Sequence, residues 1–172
     1  LDDTLRRWIT VQRDAVRAAD PNHLITVAYS NIVLAKMSAN RLLDFQAPHR
    51  FVGTGLANLQ RTIQVLANLR ATFAGQAFML EEFGYSNEEG LQPGAAPVDQ
   101  LVTADLETAL WLYTYSQGYA GAGKWMLNNF PQGYDPAQNT FGMFDNSGQP
   151  KITAQSLGQL SPLFAGGLTT DM

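Results

Sequence analysis

The sequence contains no cysteine, which excludes disulfides, thiolate metal centres and a cysteine nucleophile, although it leaves the redox compartment open. Histidine is nearly as scarce. His23 and His49 are the only two, and they fall on separate elements, so no metal site is expected. No apolar run approaches the roughly 18 residues that a membrane-spanning helix needs. Charged residues make up 15% of the chain, and the 11 Lys and Arg against 15 Asp and Glu are scattered rather than striped. A polyanion such as nucleic acid draws on clustered positive charge, so the composition argues against that partner and for a neutral substrate. A glycine-rich phosphate loop is missing too: none follows the first strand-like run, and Gly53, Thr54 and Gly55 have no such context, so nucleotide binding is not expected.

What remains is 172 residues with 45% hydrophobic content, enough for one core of ordinary size without metals or crosslinks. The chain is organised around Ala77-Phe78-Met79-Leu80-Glu81-Glu82-Phe83-Gly84-Tyr85-Ser86. Four apolar residues run into adjacent carboxylates and stop at a glycine, the pattern of a buried parallel strand that ends at a rim. Carboxylates are almost never buried unless paired, so the double Glu reads either as a solvated strand end or as a site. Successive strand residues face opposite sides, so a regular strand sends only one of Glu81 and Glu82 toward a given site.

Helices and strands alternate around this stretch. Residues 1–19 lack a Met start and the charged-then-apolar layout of a signal peptide; Leu5, Trp8, Ile9, Val16 and Ala19 fall near helical spacing instead, so the chain is expected to open inside a helix. Asp20-Pro21-Asn22 ends it, and the β-branched run Leu24-Ile25-Thr26-Val27-Ala28-Tyr29 reads as a first strand. After a connection over 31–41, Leu42-Leu43-Asp44-Phe45-Gln46 reads as a second strand, followed by a loop with Pro48, His49 and Phe51. Leu56, Leu59, Ile63, Leu66, Leu69 and Phe73 keep the period of an amphipathic helix, with Gly75 just past its end. The organising stretch is the third strand. A loop over 87–97 leads to a helix over 98–117 whose apolar face includes Leu101, Leu106, Leu110 and Tyr113, and 121–127 reads as a fourth strand containing Trp125. After a long polar loop, 141–144 is expected to pair around an Asn146-Ser147-Gly148 turn, and 152–160 forms a last helix. This order is that of a parallel α/β sheet. With four strands the solutions are an open doubly wound sheet or half of an eight-stranded barrel, in which functional residues gather at the C-terminal strand ends.

Leu80-Glu81-Glu82-Phe83-Gly84, Asp20-Pro21-Asn22-His23-Leu24-Ile25-Thr26, Trp125, and the run from Gly142 through Asp145, Asn146, Ser147 and Gly148 to Lys151 together resemble, in order and spacing, the TIM-barrel glycoside hydrolases of the cellulase and β-mannanase clan. The likeness spans essentially the whole chain but only the second half of such an enzyme. It implies an α/β fold, the C-terminal half (strands five to eight) of a (β/α)8 TIM barrel, as a single partial domain over 1–172. It also implies that Glu82, before Phe-Gly at the end of strand seven, is the nucleophile of retaining β-glycoside hydrolysis, with Glu81 as partner to a nearby basic or amide group. Such chemistry needs an ionised carboxylate to attack the anomeric carbon and a protonated carboxyl about 5–5.5 Å away to protonate the leaving oxygen. In the family that acid is the Glu of an Asn-Glu pair ending strand four, which this chain does not carry ahead of residue 1. Asn87-Glu88 follows the nucleophile strand and reads as a solvated loop, so the isolated chain is expected to be inactive.

By the same resemblance Trp125 is an apolar platform for a sugar ring, against the plain reading of a core tryptophan. His49 with Phe51 resembles a His-x-Tyr motif after strand six in which the tyrosine touches the nucleophile; Phe51 departs from it, and His49 is equally readable as a satisfied loop residue. Tyr29 and Tyr85, with Asn31 and Asn128, lie at or past strand ends and are candidates to line a sugar cleft or simply to form its rim. His23 reads as structural, and Asp145-Asn146-Ser147-Gly148 as a hairpin turn rather than a calcium loop. No cofactor and no membrane partner are implied. Unpaired edge strands and an exposed inner face invite association, so the expected partners are a β-linked oligo- or polysaccharide and either a missing N-terminal half-barrel or a second copy. Secretion is an expectation of the resemblance alone. The competing class is a non-catalytic carbohydrate-binding or interaction module.

Overall fold

A computed structural model describes residues 1–51, 53, 55–85, 99–130 and 140–164. In chain order the elements are α1 (Asp2–Ala19), β1 (Ala28–Tyr29), α2 (Ile32–Ala35), a 3₁₀ turn (Ser38–Leu42), β2 (Phe45–Pro48), α3 (Leu56–Thr72), β3 (Ala77–Phe83), α4 (Gln100–Ser116), β4 (Gly121–Lys124) and α5 (Ile152–Phe164). The strands form one sheet in the order β1-β2-β3-β4, with β1 parallel to β2 and β2 parallel to β3. A doubly wound sheet reverses its strand order at a switch point, whereas here every strand neighbours its successor, as in a barrel wall. The fold is therefore the half-barrel rather than the open sheet.

The chain clusters into two compact units, Leu1–Phe83 with Tyr113–Gly123, and Gly84–Leu112 with Lys124–Met172. In the first, α3 buries Leu59, Leu66 and Leu69, and β3 buries Phe78, Leu80 and Phe83; each such side chain contributes about 1.5–3 kcal/mol when fully buried. The helix is bounded by glycines at positive φ, Gly55 at 93° before it and Gly75 at 91° after it, conformations that other residues adopt only with strain. In the second unit, residues 126–129 and 141–144 bond to each other, with Met143 N–H donating to Met126 C=O and Phe144 N–H to Leu127 C=O, both at 2.9 Å. The turn that follows is the expected hairpin: Phe144 bridges antiparallel to Pro150, and Asp145 Oδ1 accepts from Ser147 N–H, Ser147 Oγ and Gln149 N–H.

Several boundaries differ from the sequence pattern, and the causes are local. Of the run 24–29, only Ala28 and Tyr29 form β1; upstream one backbone bond persists, Asp44 N–H to Ile25 C=O at 2.9 Å, but side chains take part in the rest, with Ile25 N–H donating to Asp44 Oδ2 at 2.6 Å and Thr26 Oγ1 to Phe45 C=O at 2.7 Å. β2 starts at Phe45 instead of residue 42 and runs on through Pro48. The preceding residues are held in a 3₁₀ turn by buried Asn40, whose amide donates to the Leu34 and Ala35 carbonyls at 2.8 and 3.1 Å. β4 ends at Lys124, so Trp125 lies beyond the strand rather than in it. On α4, Leu106 and Leu110 are buried as expected but Leu101 is 56% exposed. On α1, Ile9 is buried while Trp8 and Val16 are exposed, and α5 continues to Phe164 with Pro162 inside it. The loop over 87–97 and the residue that opens the 98–117 helix lie outside the described residues. No helix among the described residues is long and apolar enough to cross a membrane.

Two glycines give a paired test of the packing. A Cβ at Gly123 would strike the Glu81 carbonyl, backbone against backbone, while one at Gly158 inside α5 would meet nothing within 4 Å. Urea denaturation should show Gly123→Ala destabilised by about 1–3 kcal/mol, and Gly158→Ala stabilised by about 1 kcal/mol.

Candidate active site

The first cluster of charge stands where β2 and β3 end. Phe45 pairs with Ala77 and Gln46 with Phe78, but the next parallel bridge joins His49 to Glu82. The offset between the strands thus grows by one residue, and β3 carries an extra residue between Phe78 and Glu82, facing the Ala47-Pro48 stretch of β2. Proline has no N–H to give to a ladder and sits within sheets at edges and bulges; an inserted residue at a bulge re-aims the side chains that follow it. Had the first register continued, His49 would stand opposite Glu81. Instead Arg50 N–H donates to Glu82 C=O at 2.7 Å, and His49 Nδ1 lies 3.0 Å from Glu82 Oε2.

The same ring reaches the other carboxylate, with His49 Nε2 3.3 Å from Glu81 Oε2. Alternation had allowed only one of the two glutamates into a given site, but that rule holds for a regular strand, and this one is irregular. Its burial alternates through Phe78, Met79, Leu80 and Glu81 and then fails, with half-buried Glu82 followed by buried Phe83. The histidine is largely enclosed, with 16% of its side chain exposed, and Glu82 keeps 25% exposure. Among the described residues this partly open carboxylate is held from one side by an imidazole, an arrangement that suits a nucleophile or an acceptor. Neighbouring Arg50 has its Nε buried without a hydrogen-bond partner among the described residues, a feature that no sequence motif marks. Phe51, where the resemblance expects a tyrosine, is exposed.

Tyr29 belongs to the same unit, and its carbonyl accepts from His49 N–H at 2.8 Å. Its ring points elsewhere, into an apolar pocket of 350 Å³ shared with Leu1, Thr4, Leu5, Trp8, Val27 and Leu34. The hydroxyl there is buried without a partner, and burial pushes its ionisation up. Asn31 serves as the cap of α2, accepting from Val33 N–H at 2.9 Å. His23 is exposed and rests on Asp20 at 2.5 Å.

Tyr85 and Trp125 lie in the second unit, around an ion pair that the sequence reading missed. Glu107 on α4, with no side-chain exposure, lies 3.1 Å from Lys124 at the end of β4. Glu107 Oε1 also accepts from Tyr85 N–H at 2.8 Å. Burial pushes the Glu107 carboxyl up and the Lys124 ammonium down, and in each case the partner's charge opposes the shift. A signal was present: Glu107 shares its helix face with Thr103, Leu110 and Thr114, all buried, at spacings of four, three and seven residues. Trp125 is half-buried, its carbonyl accepts from Lys124 Nζ, and its peptide bond to Met126 is cis. Among the described residues no group of three His, Asp or Glu side chains is arranged to hold a metal ion. Asn87 and Glu88 lie outside the described residues.

No protein-family model matches the sequence, and no curated protein does. Solved structures do. The chain is similar to apo β-glucuronidase from Ruminococcus gnavus, with a TM-score of 0.74 and 17% identity over 91% of this chain and 29% of that one. It is also similar to the β-glucuronidase of Dictyoglomus thermophilum, with a TM-score of 0.73 and 16% identity over 90% of this chain and 28% of that one. For the Faecalibacterium prausnitzii β-glucuronidase the TM-score is 0.71 and the identity 16%, over 91% of this chain and 28% of that one. At such identity the likeness is one of fold, and the chain spans less than a third of the length of these proteins. They bear a glycosidase name other than cellulase or β-mannanase.

Tyr85 supplies a test that needs no substrate. Its phenol is buried without a partner, and burial, with the Glu107 charge second, pushes its pKa up to about 12. A group raised in the folded state contributes stability that is complete below the unfolded value of 10 and is lost as pH climbs through about 12. Absorbance titration at 295 nm should show this late ionisation together with loss of stability above pH 10, and Tyr85→Phe should remove that component of both.

Proposed function

We propose that the chain is the C-terminal half of the barrel of a retaining β-glycoside hydrolase, cellulase- or mannanase-like in its motifs, with Glu82 as nucleophile. The observation that carries this reading is the His49–Glu82 bridge at the C-terminal end of a barrel strand, where a half-exposed carboxylate is held at 3.0 Å by an imidazole. In this mechanism Glu82 attacks the anomeric carbon as the glycosidic bond breaks, giving a covalent glycosyl–enzyme ester. Water then attacks the anomeric carbon from the face that the leaving group vacated and displaces the Glu82 carboxylate, so two inversions leave the configuration retained. His49 orients the Glu82 carboxylate and is itself steadied by Glu81. Trp125 offers an aromatic face to the C–H surface of the sugar. The proton for the leaving oxygen comes from a carboxyl on the complementary half, and the chain alone is inactive. Sugar binding without turnover is the alternative role.

The complementary half, or in its absence a second copy, covers surfaces that now face solvent: the outer edges of β1 and β4, and an apolar flank that includes Leu1, Trp8, Val11 and Val33, all exposed. The reading is tested by co-expressing the chain with a polypeptide that carries strands one to four from the same coding sequence, and assaying aryl β-mannosides, β-glucosides and β-glucuronides. Hydrolysis should appear only in the mixture and fall on the order of 10⁴-fold or more in Glu82→Gln, with a smaller loss in Glu81→Gln. Sugar binding with no turnover would support the alternative. Light scattering of the chain alone should give a mass above 18.8 kDa, and a monomer that unfolds cooperatively would contradict the assembly.

A further inference from the structure

The second unit contains a polar device that its own stability does not require. Lys124 is almost wholly buried beside Glu107, which is wholly so, and replacing a buried ion pair by apolar residues of similar volume is often neutral or stabilising. What an apolar pair could not do is donate. An ammonium has three hydrogens, and those of Lys124 face three acceptors: Glu107 Oε1 at 3.1 Å, the Trp125 carbonyl and the Phe141 carbonyl at 2.6 Å. The carbonyls belong to the two sides of the segment between residues 125 and 141. Lys151, also buried, repeats the arrangement further along, donating to Asn129 Oδ1 at 2.8 Å and Thr140 C=O at 3.0 Å. Gly84 lies against the first of these clamps, and a Cβ there would strike the Trp125 carbonyl and come within 2.9 Å of Lys124 Nζ.

We propose that Lys124, held by Glu107, is a positioning residue for Trp125: by binding the carbonyls on both sides of this segment it fixes the main chain that presents the indole. The proposal rests on the reading of Trp125 as a sugar platform, but the geometry of the clamp is independent of any sugar. Glu107 orients the ammonium and ties the same point to Tyr85 through its N–H. An apolar residue at 124 would remove the ammonium that joins the Trp125 and Phe141 carbonyls, leaving between these two stretches the backbone bonds such as Met126 N–H to Phe141 C=O at 3.3 Å.

The chain has three tryptophans, so Trp8→Phe with Trp111→Phe leaves Trp125 as the sole reporter. In that parent, Lys124→Met should lose stability in urea and raise acrylamide quenching of Trp125 severalfold, because a buried carboxylate is left unpaired and the indole is released. The double variant Glu107→Leu/Lys124→Met should recover part of the stability, since no buried charge is left unpaired while the Tyr85 N–H loses its Glu107 acceptor, but keep the raised quenching and faster anisotropy decay. Lys124→Arg, which retains donors, should stay closer to the parent than Lys124→Met in quenching. A double variant that restores both stability and the parental quenching would make the pair merely structural and overturn the proposal; one that fails to fold would do so too. Titrating the parent with mannohexaose and cellohexaose separates the two readings, since unchanged Trp125 emission would sink the platform while leaving the clamp intact.

Discussion

The feature on which the candidate site depends is the gain of one residue in β3 between Phe78 and Glu82, facing Ala47 and Pro48. Up to Gln46↔Phe78 the two strands keep one offset; beyond Pro48, which cannot donate to the ladder, His49 pairs with Glu82. A one-residue slip moves a side chain to the other face of a sheet, so this small insertion decides which glutamate stands opposite the imidazole. It also lets one ring meet both carboxylates, which a regular strand would have separated. The chemical asymmetry of the pair follows: Glu82 is engaged through side chain and backbone by consecutive residues, His49 and Arg50, while Glu81 meets the far nitrogen of the ring.

A second constraint operates after the strands end. Regular pairing stops at Phe83 and at Lys124, so the chain beyond each strand must find other partners for its backbone groups. Buried charge supplies them: Glu107 takes the Tyr85 N–H, and Lys124 and Lys151 take carbonyls around the segment that begins with Trp125. In a barrel, loops at this end carry the chemistry and strands carry the stability. Two buried lysines here are consistent with that division, since they contribute geometry where apolar packing would contribute only area.

Long periodic elements were legible in the sequence. α3 and β3 fall where their spacing placed them, because seventeen residues of helical period and a seven-residue strand that opens on an apolar run outweigh local alternatives. The short strands were not, since the Asp44 side chain takes the Ile25 N–H and Asn40 ties the 3₁₀ turn to α2, bonds that leave no periodic trace. The sequence also singled out Glu82 and His49 but left their contact open, because the offset at Pro48 is a property of two strands together. Glu107 and Lys124 escaped notice for a related reason. Charged residues on a helix and at a strand end read as solvated unless the opposite charge is known to meet them.

The central proposal, that Glu82 is the nucleophile, is tested most directly by covalent trapping. A 2,4-dinitrophenyl 2-deoxy-2-fluoro-β-glycoside carries a leaving group that needs no proton, and its fluorine slows breakdown of the glycosyl–enzyme ester. The chain joined to its complementary half is incubated with the mannose and glucose forms, digested, and the labelled peptide fragmented by mass spectrometry. The account predicts a sugar ester on Glu82. A label on Glu81, or none in a mixture that hydrolyses the unfluorinated glycoside, would contradict it.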